Sequence, residues 1–377
     1  MIDLDLAEEV FAASVDGTVG LEEEFAILEP GTLELAPRFE ELRDSAPPEL
    51  AEHITGELIC SEIEIVSGRG SDLRDAIARQ REARRLLFGH MAARSAVLGA
   101  TGTHPWADYR EQQNIDTDHY RRVVDGLGYV ARRNNTFSLH VHVGVRDLDR
   151  AVRVCDRLRP VLPELLAVSA SSPFVDDRDT LLHSARSEIF TRVFPRCGVP
   201  DVYGSWAAYR DYLQLLIETN SLVEYTQVWW SVRPHIAFGT VEMRICDAQA
   251  TAEESEALAE LIVACVLQAT RDVDESVPFE HPPARLVEEN LWRAIRHGLD
   301  GSMIDFAARR EVPSAAIVDR LLDWTAPVRD GEPSFPERNG AQRQRTMHAG
   351  GTPLRDVYAS IVEETQSSYG RAAQPAR

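Results

Sequence analysis

The residues Gly20-Leu21-Glu22-Glu23-Glu24-Phe25-Ala26-Ile27 combine the pattern of a β-strand with three consecutive carboxylates. Apolar residues at the odd-numbered positions indicate a strand over about residues 18–28. Side chains alternate across a strand, so Glu22 and Glu24 share one face and Glu23 points to the other. Neighbouring carboxylates repel each other, and a solvated strand face would explain a single pair of this kind.

Pairs of polar side chains two residues apart recur in three later strand-like segments. The pairs are Glu62 with Glu64, His140 with His142, and Glu242 with Arg244. If these faces converge, an apolar core could not hold them unless the charges were paired or bound metal. Carboxylate-rich oxygen sites suit Mg²⁺ or Mn²⁺, and zinc is less favoured because carboxylates outnumber histidines. The sequence therefore predicts one shared polar site on a sheet.

The composition limits the classes of function. With 44% hydrophobic and 27% charged residues, the 377-residue chain is typical of a soluble globular protein with a substantial core. Its formal net charge of −21 argues against nucleic acid or an anionic membrane as a partner, because both attract positive surfaces. All 40 basic residues are arginine, so a Walker-type lysine is excluded. Any phosphate must then be bound by arginine, backbone N–H groups or metal ions.

Cysteine usage and the start of the chain bear on its location. The five cysteines are dispersed and form no CxxC pair, which indicates buried thiols in a reducing compartment. The acidic first residues lack the basic region of a signal peptide. No apolar run approaches the roughly 20 residues of a membrane helix. We therefore predict a cytoplasmic protein without a membrane partner.

Strand-like segments are separated by helical ones, and neither a repeat nor a Gly/Ser-rich linker divides the chain. This pattern predicts an α+β fold with a mainly antiparallel sheet, in a single domain over residues 1–377 with a core of about 16–366. Helices are predicted over about residues 72–95, 117–131, 148–170 with a break at its prolines, 204–220, 253–270, 285–297, 313–324 and 352–366. Further predictions are a strand over 57–66, a return strand over 33–35, a functional loop over 171–203 and an exposed polar segment over 339–345.

Six motifs follow one another along the chain. They are Gly20-Leu21-Glu22-Glu23-Glu24-Phe25, Gly56-Glu57-(x4)-Glu62-Ile63-Glu64, Gly102-Thr103-His104-Pro105, Leu139-His140-Val141-His142-Val143-Gly144, Arg233-Pro234 followed by Gly239-Thr240-Val241-Glu242-Met243-Arg244-(x2)-Asp247, and Asn339-Gly340-(x4)-Arg345. In combination they resemble the bacterial carboxylate–amine ligases, also called glutamate–cysteine ligase type 2 proteins. The resemblance runs over about residues 16–366, nearly the whole chain.

The resemblance implies a catalytic domain related to glutamine synthetase and the guanidino kinases. In that fold a curved, mainly antiparallel sheet forms a funnel with helices packed outside, ATP enters at one end and the other substrates at the opposite end. The implied metal ligands, for Mg²⁺ or Mn²⁺, are Glu22, Glu24, Glu57, Glu64, His140 and Glu242. The implied catalytic residues are Arg244, Glu242 and His142, with Arg244 on the transferring phosphoryl group. The implied contacts to the nucleotide and its phosphates are Arg233, Arg345 and His140.

Two details of the strands bear on these assignments. Glu57 and Glu64 are seven residues apart, so a flat strand would place them on opposite faces. Either a β-bulge intervenes or Glu57 lies in the loop before the strand. Glu23 is interpreted as the outward residue between Glu22 and Glu24, so its loss should be tolerated where theirs should not.

The implied reaction is ATP-dependent amide formation with glutamate–cysteine ligase activity. ATP would convert a glutamate-like carboxylate to an acyl phosphate, and cysteine or another amine would displace the phosphate. Related proteins suggest a homodimer. Two other classes of protein remain as alternatives. A metal-dependent guanidino-type phosphotransferase would stop at a phosphorylated nitrogen, and a non-catalytic binding protein would have lost the ligand set, which this sequence retains.

Overall fold

Strand β1 (Val19–Leu28) lies in the middle of a seven-stranded sheet in this computed structural model, which describes residues 4–222, 224–331 and 333–371. The other strands of the sheet, numbered along the chain, are β2 (Ile54–Thr55), β3 (Glu62–Val66), β4 (Val97–Gly99), β5 (Ser138–Gly144), β10 (Val232–His235) and β11 (Thr240–Asp247). They lie in the order β10-β11-β5-β1-β3-β2, and β4 pairs with the end of β1. Every pair in this sheet is antiparallel, as predicted.

Three smaller strand pairs lie outside this sheet. They are β6 (Phe174–Val175) with β7 (Arg178–Asp179), β8 (Cys197–Gly198) with β9 (Trp229–Trp230), and β12 (Ser302–Asp305) with β13 (Arg310–Pro313). The α-helices of the described residues are α1 (Leu4–Ala12), α2 (Phe39–Asp44), α3 (Pro48–Ala51), α4 (Leu73–Ala93), α5 (Asp118–Leu127), α6 (Leu148–Leu158), α7 (Leu162–Ser169), α8 (Ala185–Val193), α9 (Trp206–Glu218), α10 (Ala252–Asp274), α11 (Ala284–His297), α12 (Ser314–Thr325), α13 (Gly340–Ala349) and α14 (Leu354–Arg371). None of these helices is long and apolar enough to cross a membrane.

The two faces of the main sheet differ because the strands alternate with period two. Odd-numbered residues such as Leu21, Val141 and Met243 belong to the largest apolar cluster. The helices α4, α6, α7 and α10 pack against strands of this sheet. Even-numbered residues, including Glu24 and His140, carry the polar pairs that the sequence singled out. The parity argument is thereby confirmed for the two faces of the sheet.

Glu23 corrects one expectation, since it is buried and not solvent-facing. The residue is only 3% exposed, and its side chain accepts hydrogen bonds from Arg84 at 2.6 and 2.8 Å and from Gln80 at 2.8 Å. The hydroxyl of Ser255 on α10 also donates to it. The prediction that Glu23 points outward is wrong, because this face is covered by α4 and α10, and the tolerance of its loss stays a prediction to be tested.

Several predicted elements differ in extent. β3 begins at Glu62, so residues 57–61 precede the strand, and residues 33–35 form only a single bridge, between Leu28 and Leu35. Residues 171–203 are not a loop throughout, since they contain α8 and short strands. Asn339 is 3% exposed and caps α13, so the segment from 339 to 345 is not an exposed polar run. The predicted break at the prolines of 148–170 is confirmed by the separate helices α6 and α7.

His104, in the Gly-Thr-His-Pro motif, has a structural environment. Its Nε2 lies 2.7 Å from the Leu33 carbonyl oxygen, and its Nδ1 accepts the Ala107 N–H at 3.1 Å. Burial lowers the pKa of His104 to about 4, which keeps the ring neutral near pH 7. The motif therefore ties the 102–107 segment to the turn after β1.

Candidate active site

The register of the main sheet places the polar pairs of neighbouring strands opposite one another. The opposed residues are Glu22 with His140, Glu24 with Glu64, and Glu242 with His142. Side chains directly opposite in a sheet have Cβ atoms about 4.5–5.5 Å apart, which is close enough to share a ligand. Strands β11, β5, β1 and β3 therefore carry one continuous polar surface.

Three groups of ligand atoms on this surface could each hold a metal ion, since the atoms of each group lie within 4.8 Å of one another. The groups are Glu22 with His142 and Glu242, Glu22 with Glu64 and His140, and Glu24 with Glu57 and Glu64. Glu57 reaches the third group from the residues before β3, as the loop alternative required. The surface thus brings together all the metal ligands that the resemblance implied, and His142 joins them.

Carboxylates crowd this surface. Burial and the neighbouring carboxylate of Glu24 raise the pKa of Glu57 to about 8. Burial and Glu22 likewise raise the pKa of Glu64 well above its usual value. Burial would also raise the pKa of Glu22, but His142 holds it well below the usual range. A divalent cation would relieve this repulsion, and the donor set of carboxylates with imidazoles fits Mg²⁺ or Mn²⁺.

The two histidines are oriented through both ring nitrogens. His140 lies with Nδ1 3.0 Å from a Glu22 oxygen and Nε2 2.8 Å from the Ser138 hydroxyl. His142 lies with Nε2 3.0 Å from the other Glu22 oxygen and Nδ1 2.9 Å from the Thr240 hydroxyl. Their expected roles in nucleotide contact and catalysis stay predictions.

Glu242 is held between two arginines. Arg233 donates from Nε at 2.5 Å, and Arg244 donates from Nη1 to the other carboxylate oxygen. Burial would raise the pKa of Glu242, but the two guanidinium groups hold it well below its usual value. Arg233 uses a further N–H on the Val228 carbonyl, whereas Nε of Arg244 has no hydrogen-bond partner among the described residues. Arg244 therefore keeps donor capacity beside the metal-ligand groups.

Arg345 lies in a different environment from the other implied site residues. Its guanidinium group binds Asp179 at 2.6 Å and the Leu182 carbonyl at 2.7 Å. Asp179 lines a second, more open cavity of about 760 Å³, together with Glu188 and Ile189 of α8. No contact of the described residues joins Arg345 to the polar surface, so its role as a phosphate contact stays a prediction.

A cavity of about 220 Å³ lies beside the polar surface. Its charged lining includes Glu24, Glu57, Glu62, Arg186, Arg233 and Arg244, and its apolar lining includes Leu58, Val123, Leu127, Phe190, Phe194 and Trp229. Glu62 was seen in the sequence as a partner of Glu64 but received no role. Arg186 and the aromatic residues were missed, because they come from the segment interpreted as a loop and from outside the six motifs.

Arg186 supports the backbone at Arg244. Between Met243 and Cys246, β11 has one residue more than β5, which marks a β-bulge at Arg244 and Ile245. Arg186 donates to the carbonyl oxygens of Arg244 and Ile245, each at 3.0 Å. A bulge frees carbonyl groups from the ladder, and these two find their donor in a helix that also lines the cavity. Arg186 is therefore a positioning residue for Arg244.

Replacing Arg186 should lower turnover. For Arg186→Gln we expect kcat to fall by about 10²-fold, because a shift of the bulge misplaces Arg244, with a smaller change in the KM for ATP. Arg186→Lys should recover part of kcat, since an ammonium can bind the same carbonyls. The matched control is Arg192→Gln, on the same helix but at a partly exposed side chain. Equal kcat for Arg186→Gln and wild type, measured by ADP release, would contradict this role.

Comparison with known proteins supports these observations at the level of the family. The model of the family described as glutamate–cysteine ligase family 2 matches residues 18–360. A protein of Solibacter usitatus, named provisionally as glutamate–cysteine ligase 2, is 37% identical over 364 residues that cover 93% of each chain. A relative from Rubrobacter xylanophilus with a similar provisional name is 36% identical over 381 residues, covering 98% of this chain and 96% of the relative.

Two crystal structures share the fold at low sequence identity. Glutamate–cysteine ligase from Francisella tularensis, in complex with AMP, superposes with a TM-score of 0.66 at 12% identity, over 96% of this chain and 90% of that chain. A bifunctional glutathione synthetase from Pasteurella multocida gives a TM-score of 0.66 at 12% identity, over 97% of this chain and 54% of that chain. These similarities confirm the predicted α+β fold class.

Proposed function

The chain belongs to the glutamate–cysteine ligase family 2, and we propose that it is an ATP-dependent, ADP-forming carboxylate–amine ligase with glutamate–cysteine ligase activity. One observation carries the proposal beyond the family: three groups of metal-ligand atoms and two arginines meet on one sheet surface beside a cavity. Phosphoryl transfer from ATP needs this combination of cations and guanidinium groups. The cytoplasmic location and the homodimeric state of the protein remain predictions.

Amide formation would proceed in two steps. A carboxylate oxygen of the donor attacks the γ-phosphorus of ATP, the bond to the β–γ bridging oxygen breaks, and ADP leaves an acyl phosphate. The amine nitrogen then attacks the acyl carbon, and the carbon–oxygen bond to phosphate breaks. Of the two protons that the ammonium group gives up, one leaves on phosphate and one enters solvent.

The residues of the polar surface would have separate roles in this reaction. Divalent cations would be held by Glu22, Glu24, Glu57, Glu64, His140 and Glu242. When bound, Mg²⁺ or Mn²⁺ would neutralise charge on the phosphate oxygens. Arg244 would donate to the phosphoryl group as charge develops there, and Arg233 would hold Glu242 in place. A substrate that fills the cavity beside this surface would keep water away from the acyl phosphate.

The test mixes the protein, ATP, Mg²⁺, glutamate and cysteine, and measures amide by mass spectrometry together with ADP and free phosphate. We expect all three products in equal amounts, and none after chelation of the metal. Glu242→Gln should weaken metal binding at least about tenfold, whereas Glu49→Gln, on the surface of α3, should match wild type.

Two outcomes would overturn the proposal. A phosphorylated nitrogen compound without free phosphate would identify a guanidino-type phosphotransferase. The absence of any shift in thermal unfolding with ATP and Mg²⁺, together with no product, would indicate a non-catalytic protein, because a ligand that binds the native state must stabilise it.

A further inference from the structure

Helix α8 presents an aromatic wall to the cavity. Arg186 and Phe190 are four residues apart on one face of α8 and line the cavity, and Phe194, directly after the helix, lines it too. The rings of Phe190 and Phe194 stack with centroids 5.0 Å apart, and Trp229 of β9 meets Phe194 edge-on at 6.2 Å. Both distances lie in the range of favourable aromatic pairs. The wall is therefore a preformed apolar surface.

The apolar lining continues onto α5. Val123 and Leu127 of this helix line the cavity, and Leu58 lines it beside Glu57. A cavity walled by aromatic and branched side chains favours a ligand that covers them, because an uncovered apolar wall loses its dispersion contacts. The thiol side chain of cysteine has only two heavy atoms and would leave most of this surface uncovered.

Glu62 provides a polar end to the same cavity. The residue is 1% exposed, and Oε2 of its side chain has no hydrogen-bond partner among the described residues. Glu62 belongs to none of the three metal-ligand groups, although its neighbours Glu24 and Glu57 do. A buried carboxylate oxygen without a donor is costly, and a cationic ligand would supply the missing donor. A primary ammonium group supplies three such donors.

The size of the cavity limits how much of the reaction it can hold. Its volume of about 220 Å³ is that of one small molecule, below the roughly 300–1,000 Å³ of pockets for drug-sized ligands. It cannot take ATP and two amino acids together. Of the arginines that line it, Arg233 and Arg244 bind Glu242 and Arg186 binds backbone carbonyls. With those arginines engaged, the acidic end at Glu62 and the apolar wall match an amine better than a dicarboxylate.

From this arrangement we propose that the cavity binds the amine substrate, and that this amine is a primary amine with a bulky apolar or aromatic side chain. The ammonium group lies at Glu62 and the side chain lies against Phe190, Phe194 and Trp229. The inference rests on the proposed ligase function and specifies its acceptor substrate. It predicts that cysteine is a weaker acceptor than a bulky amine, so that the proposed glutamate–cysteine ligase activity is a slow one.

The first experiment compares acceptors that differ only in the side chain. Alanine, cysteine, leucine and phenylalanine are supplied with glutamate, ATP and Mg²⁺, and amide is measured by mass spectrometry. We expect kcat/KM for leucine and phenylalanine to exceed that for alanine and cysteine at least about tenfold, since each added apolar group in such a pocket is worth about 10–200-fold. A tenfold preference for cysteine would overturn the inference and leave the proposed function standing.

Variants of the wall connect this preference to the cavity. Phe190→Ala and Trp229→Ala should lower kcat/KM for the bulky acceptor at least about tenfold, mainly through KM, and change that for alanine less than about threefold. Trp292→Ala is the matched control, because Trp292 is 39% exposed on α11 and does not line the cavity. Equal losses for both acceptors would contradict the assignment of the wall.

A binding measurement makes the test independent of turnover. Phenethylamine should bind at least about tenfold more tightly than ethylamine in calorimetry, and Glu62→Gln should weaken both amines to a similar extent. If no acceptor forms an amide, the proposed function fails. The comparison of phenethylamine with ethylamine then still tests whether the cavity prefers a bulky amine. Equal affinities of the two amines for wild-type protein would overturn the inference.

Discussion

Arg244→Ala should lower kcat by about 10³-fold while the affinity for ATP changes less than about fivefold. Arg244 has an unused Nε beside the metal-ligand groups, so its remaining donor capacity is available to the phosphoryl group. A guanidinium group that acts as charge develops in phosphoryl transfer contributes about 10³–10⁵ in rate, and its loss lowers kcat and kcat/KM together. Steady-state ADP release and nucleotide binding by calorimetry measure the two quantities.

Two further variants separate this role from general damage. Arg244→Lys keeps a positive charge but loses the planar fork, so it should recover only a small part of kcat. Arg285→Ala removes a side chain that is 87% exposed on α11 and should match wild type. An Arg244→Ala protein with a tightened or unchanged KM and wild-type kcat would show that Arg244 has no part in the transfer step.

Glu23→Ala should destabilise the protein by about 3–5 kcal/mol, because it leaves the guanidinium group of Arg84 buried without its main partner. Arg84 is 1% exposed and binds Glu23 through two N–H groups. The free energy of unfolding in urea measures the loss. A change below about 1 kcal/mol would contradict this account of Glu23 and restore its interpretation as a dispensable residue.

Glu64→Gln, on the same sheet, should have the opposite effect to Glu23→Ala: stability is kept and activity is lost. Glu64 is crowded by the carboxylates of Glu22, Glu57 and Glu24, so removing its charge should cost less than about 1 kcal/mol of stability and abolish ligase activity.

Replacing Glu23 and Arg84 together by leucine and methionine should recover most of the stability lost in Glu23→Ala, because no unpaired buried charge remains.

The Glu23 pair also has a pH signature. Burial alone would raise the pKa of Glu23, but Arg84 lowers it below the usual glutamate value. The stability that the ionised carboxylate contributes is therefore complete above the usual pKa and is lost as the pH falls through the lowered one. Wild type should lose this component in acid, and Glu23→Ala should lack it throughout.

The alternation of residues along four strands was sufficient to predict the polar surface. Because side chains in a strand repeat every two residues, Glu22 and Glu24, or His140 and His142, reveal a shared face without knowledge of their neighbours. The order of those strands and the register that opposes Glu22 to His140 came only with the structure. Hydrogen bonding between strands far apart in the chain sets them.

Contacts between distant segments also account for what the sequence could not show. The identity of Glu23 as an ion-pair partner depends on Arg84, 61 residues away, and the support of Arg244 depends on Arg186, 58 residues away. Local patterns carry no information on such pairings, since packing of whole helices against the sheet creates them. The pattern of glutamates around residue 20 thus specified a strand with one acidic face. Folding placed two of its three carboxylates in the candidate metal-ligand groups and buried the third in an ion pair.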